Sequence, residues 1–216
     1  MPGFQPCALP PPAPRRAANK HAARLAFAEA ALATPSFRLH RVGDDPQRAA
    51  AEAPYPCVLK PLVFSASRGV IRADDPASFV AAWRRIARLL ERTRAERRAN
   101  EEGAAERLLV ESFVPGPEVA VEGLLRGGRL EVLALFDKPD PLDGPFFEET
   151  IYVTPSRLPE AEQARIAAVT RDACSALALT EGSIHAELRV NARGPFVLEV
   201  APRSIGGLCS RTLTFG

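Results

Sequence analysis

Two glutamates near the C-terminus, Glu187 and Glu199, lie at the centres of the two apolar runs in HAELRVNARGPFVLEVAPR. Apolar and polar residues alternate in the first run, which predicts a β-strand with Glu187 on its polar face. Gly194 suits the left-handed position of a three-residue hairpin loop, which would pair Asn191 with Pro195. This register predicts that Glu187 and Glu199 stand directly opposite each other across a β-hairpin.

Two carboxylates in this arrangement need a positive charge between them. Like charges that face each other destabilise a sheet, and burial of an unpaired carboxylate costs on the order of several kcal/mol. Three sources of charge fit the residues: a divalent metal ion held by oxygen ligands, a proton shared by the two carboxyl groups, or the nearby Arg189 and Arg203. The structural alternative is a solvated outer face with arginine partners.

The lysines are a second chemical signal, because arginine is the usual basic residue of this chain. Of 28 basic residues, only Lys20, Lys60 and Lys138 are lysine. A compact, flexible ammonium group contacts phosphate as a point charge, which the planar guanidinium group does not reproduce. The three lysines are therefore candidates for phosphate contacts, with chance retention as the alternative for each one.

Length and composition are those of an ordinary globular protein. The 216 residues, 46% hydrophobic and 25% charged, suffice for one large domain or two small ones. The arginine-rich segment RRIARLLERTRAERR is interleaved with Glu91 and Glu96 and carries Ile86 and Leu90 at helical spacing, which indicates a solvated helix face rather than a nucleic-acid site. Four cysteines without a CxxC pair, and a sequence without a signal peptide or membrane span, predict a cytoplasmic protein with reduced thiols.

Periodicity and capping residues predict the elements that position these groups. Residues 1–18 are proline-rich and aperiodic and are expected to form a tail. Helices are predicted at 20–32 with Asn19 as the cap, at 46–53, at 76–98 with Asp74 or Asp75 as the cap, and at 159–179. Strands are predicted at 36–42, 55–62, 70–74, 107–114, 118–126, 129–138, 147–155, 184–191 and 196–201, with loops at 63–69 and 100–106. The order of elements predicts an α+β protein in which a ligand lies between two small sheets.

Four segments of the chain resemble, in order, the successive blocks of the ATP-grasp superfamily. They are NKHAARLAFAEAALATPSF, YPCVLKPLVFSASRGV, ESFVPGPEVAVEG and HAELRVNARGPFVLEVAPR. The resemblance extends from about residue 19 to the C-terminus. Within the superfamily, the segments are most similar to the carboxylate–amine ligases, which resemble biotin carboxylase and the L-amino acid (dipeptide-forming) ligases. It implies an ATP-grasp fold whose subdomains, 19–107 and 108–216, hold the nucleotide between mostly antiparallel sheets. Neither a P-loop nor a GxGxxG turn is present.

The resemblance also implies an ATP site. Lys20 and Lys60 match residues that contact the ATP phosphates, and Ser65, Ser67 and Gly69 lie in a loop similar to the flap that covers them. Glu111 and the backbone of Phe113 and Val114 match the adenine-binding hinge, and Glu118 matches the carboxylate that binds the ribose hydroxyls. Without the resemblance, Glu111 and Glu118 are simply charges at strand ends.

Magnesium (or manganese) ligands and catalytic residues are implied in the same way. Glu187 and Glu199 match the metal ligands, but Ala201 stands where many relatives have a further asparagine ligand, so that one metal is held more loosely or Asn191 substitutes. Arg203 matches an arginine near the transferred phosphoryl group or the substrate carboxylate, and Lys138 resembles a basic residue near the active site. IGGLCS is similar to the substrate loop of the ligases. His185 is interpreted as a structural residue rather than a base.

Four functions are compatible with these features. The resemblance favours an ATP-dependent carbon–nitrogen ligase that phosphorylates a small carboxylate and couples it to an amine, with amino acids as candidate substrates and neither nucleic acid nor membrane as a partner; the oligomeric state is left open. Only 19 residues precede Lys20, where relatives carry a whole domain, so a truncated, non-catalytic ATP-binding fragment is the alternative. A retaining glycosidase would use Glu187 and Glu199 but leaves the lysines unexplained. An arginine-rich nucleic-acid binder is disfavoured by the interleaved glutamates.

Overall fold

Antiparallel pairing organises the chain into two four-stranded sheets. The structure is a computed structural model that describes residues 16–93, 102–207 and 209. Its helices are α1 Lys20–Glu29, α2 Pro46–Ala51, α3 Pro76–Arg92, α4 Glu102–Ala105 and α5 Glu160–Ala176. Its strands are β1 Phe37–Arg41, β2 Cys57–Pro61, β3 Ile71–Ala73, β4 Arg107–Ser112, β5 Glu118–Arg126, β6 Arg129–Lys138, β7 Gly182–Asn191 and β8 Gly194–Ala201. The α+β class predicted from the sequence is confirmed.

Each sheet belongs to its own compact unit. The first unit comprises Pro35–Pro115 and Pro141–Glu149 and contains the first sheet, in the order β1-β4-β2-β3. The second unit contains the remaining described residues and the second sheet, in the order β6-β5-β7-β8. This division differs from the predicted subdomains in two elements. Helix α1 packs Phe27 into the core of the second unit, and β4 lies in the first sheet because it pairs with both β1 and β2.

The core of the first unit forms where α2 and α3 pack against the first sheet. Phe79, Trp83 and Ile86 of α3 are buried among residues of β2, β3 and β4. The indole nitrogen of Trp83 donates a hydrogen bond to the carbonyl oxygen of Val42 at 3.0 Å. The arginines Arg84, Arg85 and Arg88 of α3 are exposed, which confirms the predicted solvated helix face.

Side-chain caps define the starts of the two helices for which caps were predicted. The side chain of Asn19 accepts hydrogen bonds from the backbone N–H groups of His21 and Ala22 at 3.0 and 3.1 Å. The side chain of Asp75 accepts from the N–H of Ser78 at 2.8 Å, and Ser78 completes a capping box. Both caps satisfy N–H groups that have no partner within the helix.

Three local predictions differ from the structure. The predicted strand at 147–155 is absent as a strand: a single bridge forms within it, Asp137 with Val153, and a second one, Ile71 with Phe146, lies just before it. Pro155 has no N–H group with which to extend the second bridge into a ladder. The predicted loop at 100–106 contains the short helix α4, and α3 ends at Arg92. The remainder of that predicted helix and residues 1–15 of the predicted tail lie outside the described residues, whereas residues 16–18 are helical. None of the described helices has the length and apolar character needed to cross a membrane.

Candidate active site

Glu187 and Glu199 stand opposite each other in the hairpin of β7 and β8, as the sequence predicts. The path to this register is different from the one predicted. Asn191 pairs with Gly194 rather than with Pro195, so the turn has two residues instead of three. The register then shifts between Glu187 and Leu188, and this shift restores the predicted opposition of the two glutamates.

The register shift is a β-bulge at Leu198. Leu188 pairs with Val197 and Glu187 pairs with Glu199, so Leu198 is the extra residue on β8. Val197 is fully buried in the core of the second unit. Without the bulge, strict alternation would place Glu199 on the same face as Val197. The bulge therefore moves Glu199 from the core face to the opposite face, where Glu187 lies.

Glu118 lies between two cations on this polar face of the second sheet. It pairs directly with Lys138 on β6 and with Arg189 on β7. Its carboxylate oxygens are 2.7 Å from Lys138 Nζ and 3.2 Å from Arg189 Nε. All three residues are buried. Glu118 is therefore not a simple strand-end charge, and its predicted contact with ribose stays a prediction.

Lys138 and His185 provide positive charge beside Glu187. Lys138 Nζ is 2.9 Å and His185 Nε2 is 3.5 Å from the same Oε1 atom of Glu187. The arginines proposed from the sequence do not take this role: Arg189 pairs with Glu118, and the exposed Arg203 donates to the carbonyl oxygen of Ser204 at 3.0 Å.

These contacts determine the protonation of both groups. Burial raises the pKa of Glu187, but the hydrogen bond from His185 and the charge of Lys138 outweigh it, and the pKa lies well below its usual range. Burial lowers the pKa of His185, but its bonds to Glu122 and Glu187 outweigh burial and raise the pKa to about 9. An ionised Glu187 does not fit a proton shared with Glu199. An ionised Glu187 is compatible with the nucleophile of a retaining glycosidase, but that hypothesis still leaves the lysines unexplained.

Glu187 and Glu199 both have carboxylate oxygens on this face that form no bond to the described protein. Within the described part of the chain, no hydrogen bond or ion pair involves the side chain of Glu199 or the Oε2 atom of Glu187. Carboxylate oxygens are the ligands that Mg²⁺ prefers. The residues present therefore fit a magnesium ion held by Glu187 and Glu199.

Asn191 does not fit as a substitute for the missing asparagine ligand. It lies four residues from Glu187 along β7, which corresponds to roughly 13 Å at about 3.3 Å per residue. Its Oδ1 atom accepts the N–H of Arg193 at 2.9 Å in the hairpin turn. At the usual position of the asparagine, Ala201 is buried opposite His185.

Sequence reasoning missed Glu122. It is 4% exposed, and its carboxylate contacts His185 Nδ1 and accepts the backbone N–H of Ile205 at 2.9 Å. Its position could have been found, since Glu122 lies four positions after Glu118 on one strand, and residues an even number of positions apart share a face. Its partners could not have been found in this way, because His185 and Ile205 are distant in the sequence.

In the first unit, Lys60 and Glu111 form a buried ion pair. Lys60 Nζ is 2.7 Å from Glu111 Oε2, and the side chains are 14% and 1% exposed. They lie on the neighbouring strands β2 and β4. Beyond β4, the N–H of Phe113 donates to the carbonyl oxygen of Pro56 at 2.9 Å, and Val114 is buried. The predicted roles of these four residues at a nucleotide stay predictions.

The predicted flap joins β2 to β3 in the first unit and contains Ser65, Ser67 and Gly69. Ser67 has φ 53° and Gly69 has φ 78°, and the N–H of Val70 donates to the carbonyl oxygen of Ser67 at 3.0 Å. A Cβ atom on Gly69 would lie 3.0 Å from Pro61 Cγ and 3.1 Å from Leu89 Cδ2. Glycine is thus required at position 69 for its backbone conformation and for space.

Lys20, the remaining candidate, begins α1 in the second unit. Lys138, Glu118, Glu187 and Glu199 come together on the polar face of the second sheet in the same unit. Lys60, Glu111 and the flap belong to the first unit. The candidates are thus divided between the two units.

Comparison with known proteins identifies the family. The sequence profile of the ATP-grasp domain matches residues 53–212. The chain belongs to the ATP-grasp family. This result confirms the resemblance seen in the sequence and the ATP-grasp fold predicted from it.

Individual relatives of this ATP-grasp chain include ligases. It is 33% identical over 167 residues to carnosine synthase 1 of Gallus gallus, an alignment that covers 76% of this chain and 17% of the synthase. It is 31% identical over 201 residues to the uncharacterized protein y4rH of Sinorhizobium fredii, covering 92% of this chain and 39% of that protein. The crystal structure of an L-amino acid ligase from Bacillus licheniformis superposes with a TM-score of 0.74 and 30% identity, covering 93% of this chain and 43% of the ligase. The ATP-grasp chain thus spans less than half the length of each of these relatives.

Proposed function

We propose that this ATP-grasp chain acts as an ATP- and magnesium-dependent carboxylate–amine ligase through an acyl-phosphate intermediate. The observation that carries the proposal is the pair Glu187 and Glu199, which has unengaged carboxylate oxygens beside the buried Lys138. Family membership supports ATP as the nucleotide, and the names of the relatives, a carnosine synthase and an L-amino acid ligase, support the joining of a carboxylate to an amine.

The metal-binding role falls to Glu187 and Glu199. Magnesium, when bound there, supplies charge neutralisation for the nucleotide phosphates. Lys138 donates to Oε1 of Glu187 and thereby orients the carboxylate so that Oε2 is directed to another ligand. The half-buried side chain of Glu199 provides the second oxygen donor. Ala201 provides none, so the protein supplies two carboxylates where many relatives add an amide.

Lysines and a flap provide the remaining phosphate contacts in this proposal. Lys20 and Lys60 are each assigned to phosphate oxygens as point charges, and the small residues of the loop around Ser67 allow its backbone amides to contact phosphate. Glu111, Phe113 and Val114 bind the adenine. Catalysis then consists of positioning and charge stabilisation of the transferred phosphoryl group, as is general for this chemistry.

The acceptor carboxylate is bound by Arg203, whose guanidinium group is suited to two parallel hydrogen bonds. Its side chain is exposed on the loop that follows β8. An oxygen of a small carboxylate, such as that of an amino acid, forms a bond to the γ-phosphorus of ATP, the bond from this phosphorus to the β–γ bridging oxygen breaks, and ADP leaves. The amine nitrogen then forms the new C–N bond and loses a proton, the acyl–oxygen bond of the acyl phosphate breaks, and inorganic phosphate leaves.

A second function is favoured by one specific observation. The position of the asparagine ligand found in many relatives is occupied by Ala201, whose side chain offers no oxygen donor. An ATP-grasp chain that binds Mg-ATP without turnover is therefore the alternative proposal. We place either activity in the cytoplasm, since Cys57 and Cys174 are buried free thiols of the kind kept reduced there.

Two measurements test and separate these functions. Titration calorimetry with ATP, in the presence of Mg²⁺ or of EDTA, is expected to show binding that depends on the metal. Release of inorganic phosphate is then measured with ATP and mixtures of amino acids. Binding with amino-acid-dependent phosphate release supports the ligase, and binding without it supports the non-catalytic alternative. Absence of ATP binding in both conditions refutes both proposals.

A further inference from the structure

A buried chain of contacts connects the loop after β8 to Glu187. Ile205 of this loop donates its backbone N–H to Glu122 Oε2 at 2.9 Å. The other carboxylate oxygen of Glu122 contacts Nδ1 of His185. The opposite nitrogen of the same ring, Nε2, lies 3.5 Å from Glu187 Oε1. Glu122 and His185 are 4% and 6% exposed, so water does not substitute for these contacts.

The sheet register explains why these residues meet. Glu122 on β5 and His185 on β7 are direct neighbours in the second sheet. Glu187 lies two residues after His185 and shares its face. The loop is attached to this face at Ile205, whose side chain is buried with Ala120 and Phe136. Glu122 thus contacts both the loop, through Ile205, and His185, which in turn contacts Glu187.

Two functional groups lie at the ends of this chain of contacts. Arg203, the proposed ligand of the substrate carboxylate, is two residues before Ile205. Glu187, a proposed magnesium ligand, is held by His185 and Lys138 through one carboxylate oxygen. A change in Glu122 therefore reaches both the substrate loop and the metal-binding carboxylate, although Glu122 belongs to neither.

We propose that Glu122 and His185 are positioning residues that join the substrate loop to the metal-binding face. Glu122 fixes the loop at Ile205, and His185 transmits this fixation to Oε1 of Glu187. The inference rests on the proposed function, because it gives the two ends of the contact chain their roles. The proposal predicts two separable effects. Loss of the hydrogen-bond acceptor at position 122 releases the loop, whereas loss of the negative charge at position 122 weakens the positioning of His185 and Glu187.

Two substitutions at one position separate these effects. Glu122→Ala removes both interactions. Glu122→Gln keeps a carbonyl oxygen that accepts the N–H of Ile205 but removes the carboxylate that contacts His185. His185→Asn interrupts the chain on the other side of Glu122. Glu131→Gln is the matched control, because Glu131 is an exposed glutamate on β6 of the same sheet.

The first readout is hydrogen exchange at the Ile205 amide in metal-free protein. We expect exchange to accelerate about tenfold in Glu122→Ala, as is typical for loss of one hydrogen bond, and to stay near the wild-type rate in Glu122→Gln and Glu131→Gln. Equal exchange in Glu122→Ala and wild type would overturn the loop anchor. If Glu122→Ala does not fold, Glu122→Gln provides the test, because it keeps the acceptor for the Ile205 N–H group. Accelerated exchange at Ile205 in Glu122→Gln would then overturn the loop anchor.

The second readout is the dissociation constant of Mg-ATP, measured by calorimetry on variants that melt cooperatively. We expect about a tenfold increase in Glu122→Gln and in His185→Asn, the scale on which partners of metal ligands act, and no change in Glu131→Gln. Wild-type affinity in both variants would overturn the positioning role. Failure of the wild type to bind Mg-ATP would refute the proposed function instead, while the exchange experiment still tests the loop anchor.

Discussion

Val197 and Glu199 lie on opposite faces of the second sheet, although a single residue separates them. Val197 pairs with Leu188 in the core, and Glu199 pairs with Glu187 on the polar face. The extra residue is Leu198, which forms the bulge. Bulges often redirect a side chain next to a functional site, and here the redirected side chain is a proposed metal ligand.

Deletion of Leu198 is expected to preserve the site. Without this residue, β8 continues regularly from Val197, and Glu199 remains opposite Glu187. We expect a folded protein whose Mg-ATP dissociation constant stays within roughly threefold of the wild-type value, since the pairing on either side of the bulge is unchanged. The control is deletion of Val200, a buried residue that lies beyond Glu199 and outside the bulge. This deletion removes a core side chain and should destabilise the protein. Loss of Mg-ATP binding in a folded Leu198 deletion would show that the bulge itself shapes the site.

Glu187→Gln and Glu199→Gln are expected to have opposite effects on the stability of the metal-free protein. Glu199 has no ion pair within the described residues, so its replacement relieves repulsion from Glu187 and leaves the melting temperature equal or higher. Glu187 neutralises Lys138 and His185, so its replacement should cost roughly 1–3 kcal/mol of unfolding free energy. Thermal unfolding in EDTA measures both. A lower melting temperature for Glu199→Gln would make Glu199 a structural ion-pair partner.

The same two variants should agree in magnesium binding. Each removes one of the two proposed carboxylate ligands, so metal-dependent binding of ATP is expected to be lost in both. Calorimetry in Mg²⁺ and in EDTA measures this loss. Retention of wild-type binding by Glu199→Gln would leave Glu199 outside the metal site.

Lys60→Arg is expected to weaken ATP binding without destabilising the fold. Arginine keeps the charge opposite Glu111, which is 2.7 Å from Lys60 Nζ, but replaces a compact donor by a planar fork. Loss of a charge-assisted phosphate contact costs on the order of 1.5–3 kcal/mol, or roughly a ten- to hundredfold increase in dissociation constant. Titration with Mg-ATP measures this increase, and Arg68→Lys in the adjacent loop is the control. Unchanged affinity would remove Lys60 from the phosphate site.

Gly69→Ala is expected to disturb the flap. The added Cβ would meet Pro61 and Leu89, and the positive φ of 78° is unfavourable for alanine. We expect a loss of roughly 1–2 kcal/mol in unfolding free energy, typical of a residue forced into the left-handed region. Chemical denaturation measures it, with Gly43→Ala as the control because no atom lies within 4 Å of a Cβ at that position. Equal stability of the two variants would show that the flap relaxes around the methyl group.

The pH dependence of stability should include a contribution from His40. Burial is the main cause that lowers the pKa of His40 below 6.5, against the raising effect of Asp44 and Glu52. The unfolded chain then binds this proton more readily, so stability is lost as the pH falls below the unfolded value of about 6.5. We expect the melting temperature of His40→Gln to fall less than that of the wild type between about pH 7 and pH 5. Parallel curves would exclude this contribution.

Local patterns in the sequence predict most of the elements and the central pair of the site. Asn19 and Asp75 cap helices because a side-chain oxygen beside the first helical turn satisfies backbone N–H groups of that turn. Alternation along β7 predicts the face that carries Glu187. Such interactions join residues close in the chain, so the sequence contains the information needed to predict them.

Only the tertiary structure decides which charges meet. Lys138 reaches Glu187 and Glu118 because β5 lies between β6 and β7, and the arginines chosen from the sequence are engaged elsewhere. Glu122 becomes a central residue because it is buried between a histidine and a loop amide. The bulge at Leu198 forms because both the core position of Val197 and the polar position of Glu199 must be satisfied on one strand. These outcomes depend on packing between distant segments, which alternation and spacing along a single strand do not specify.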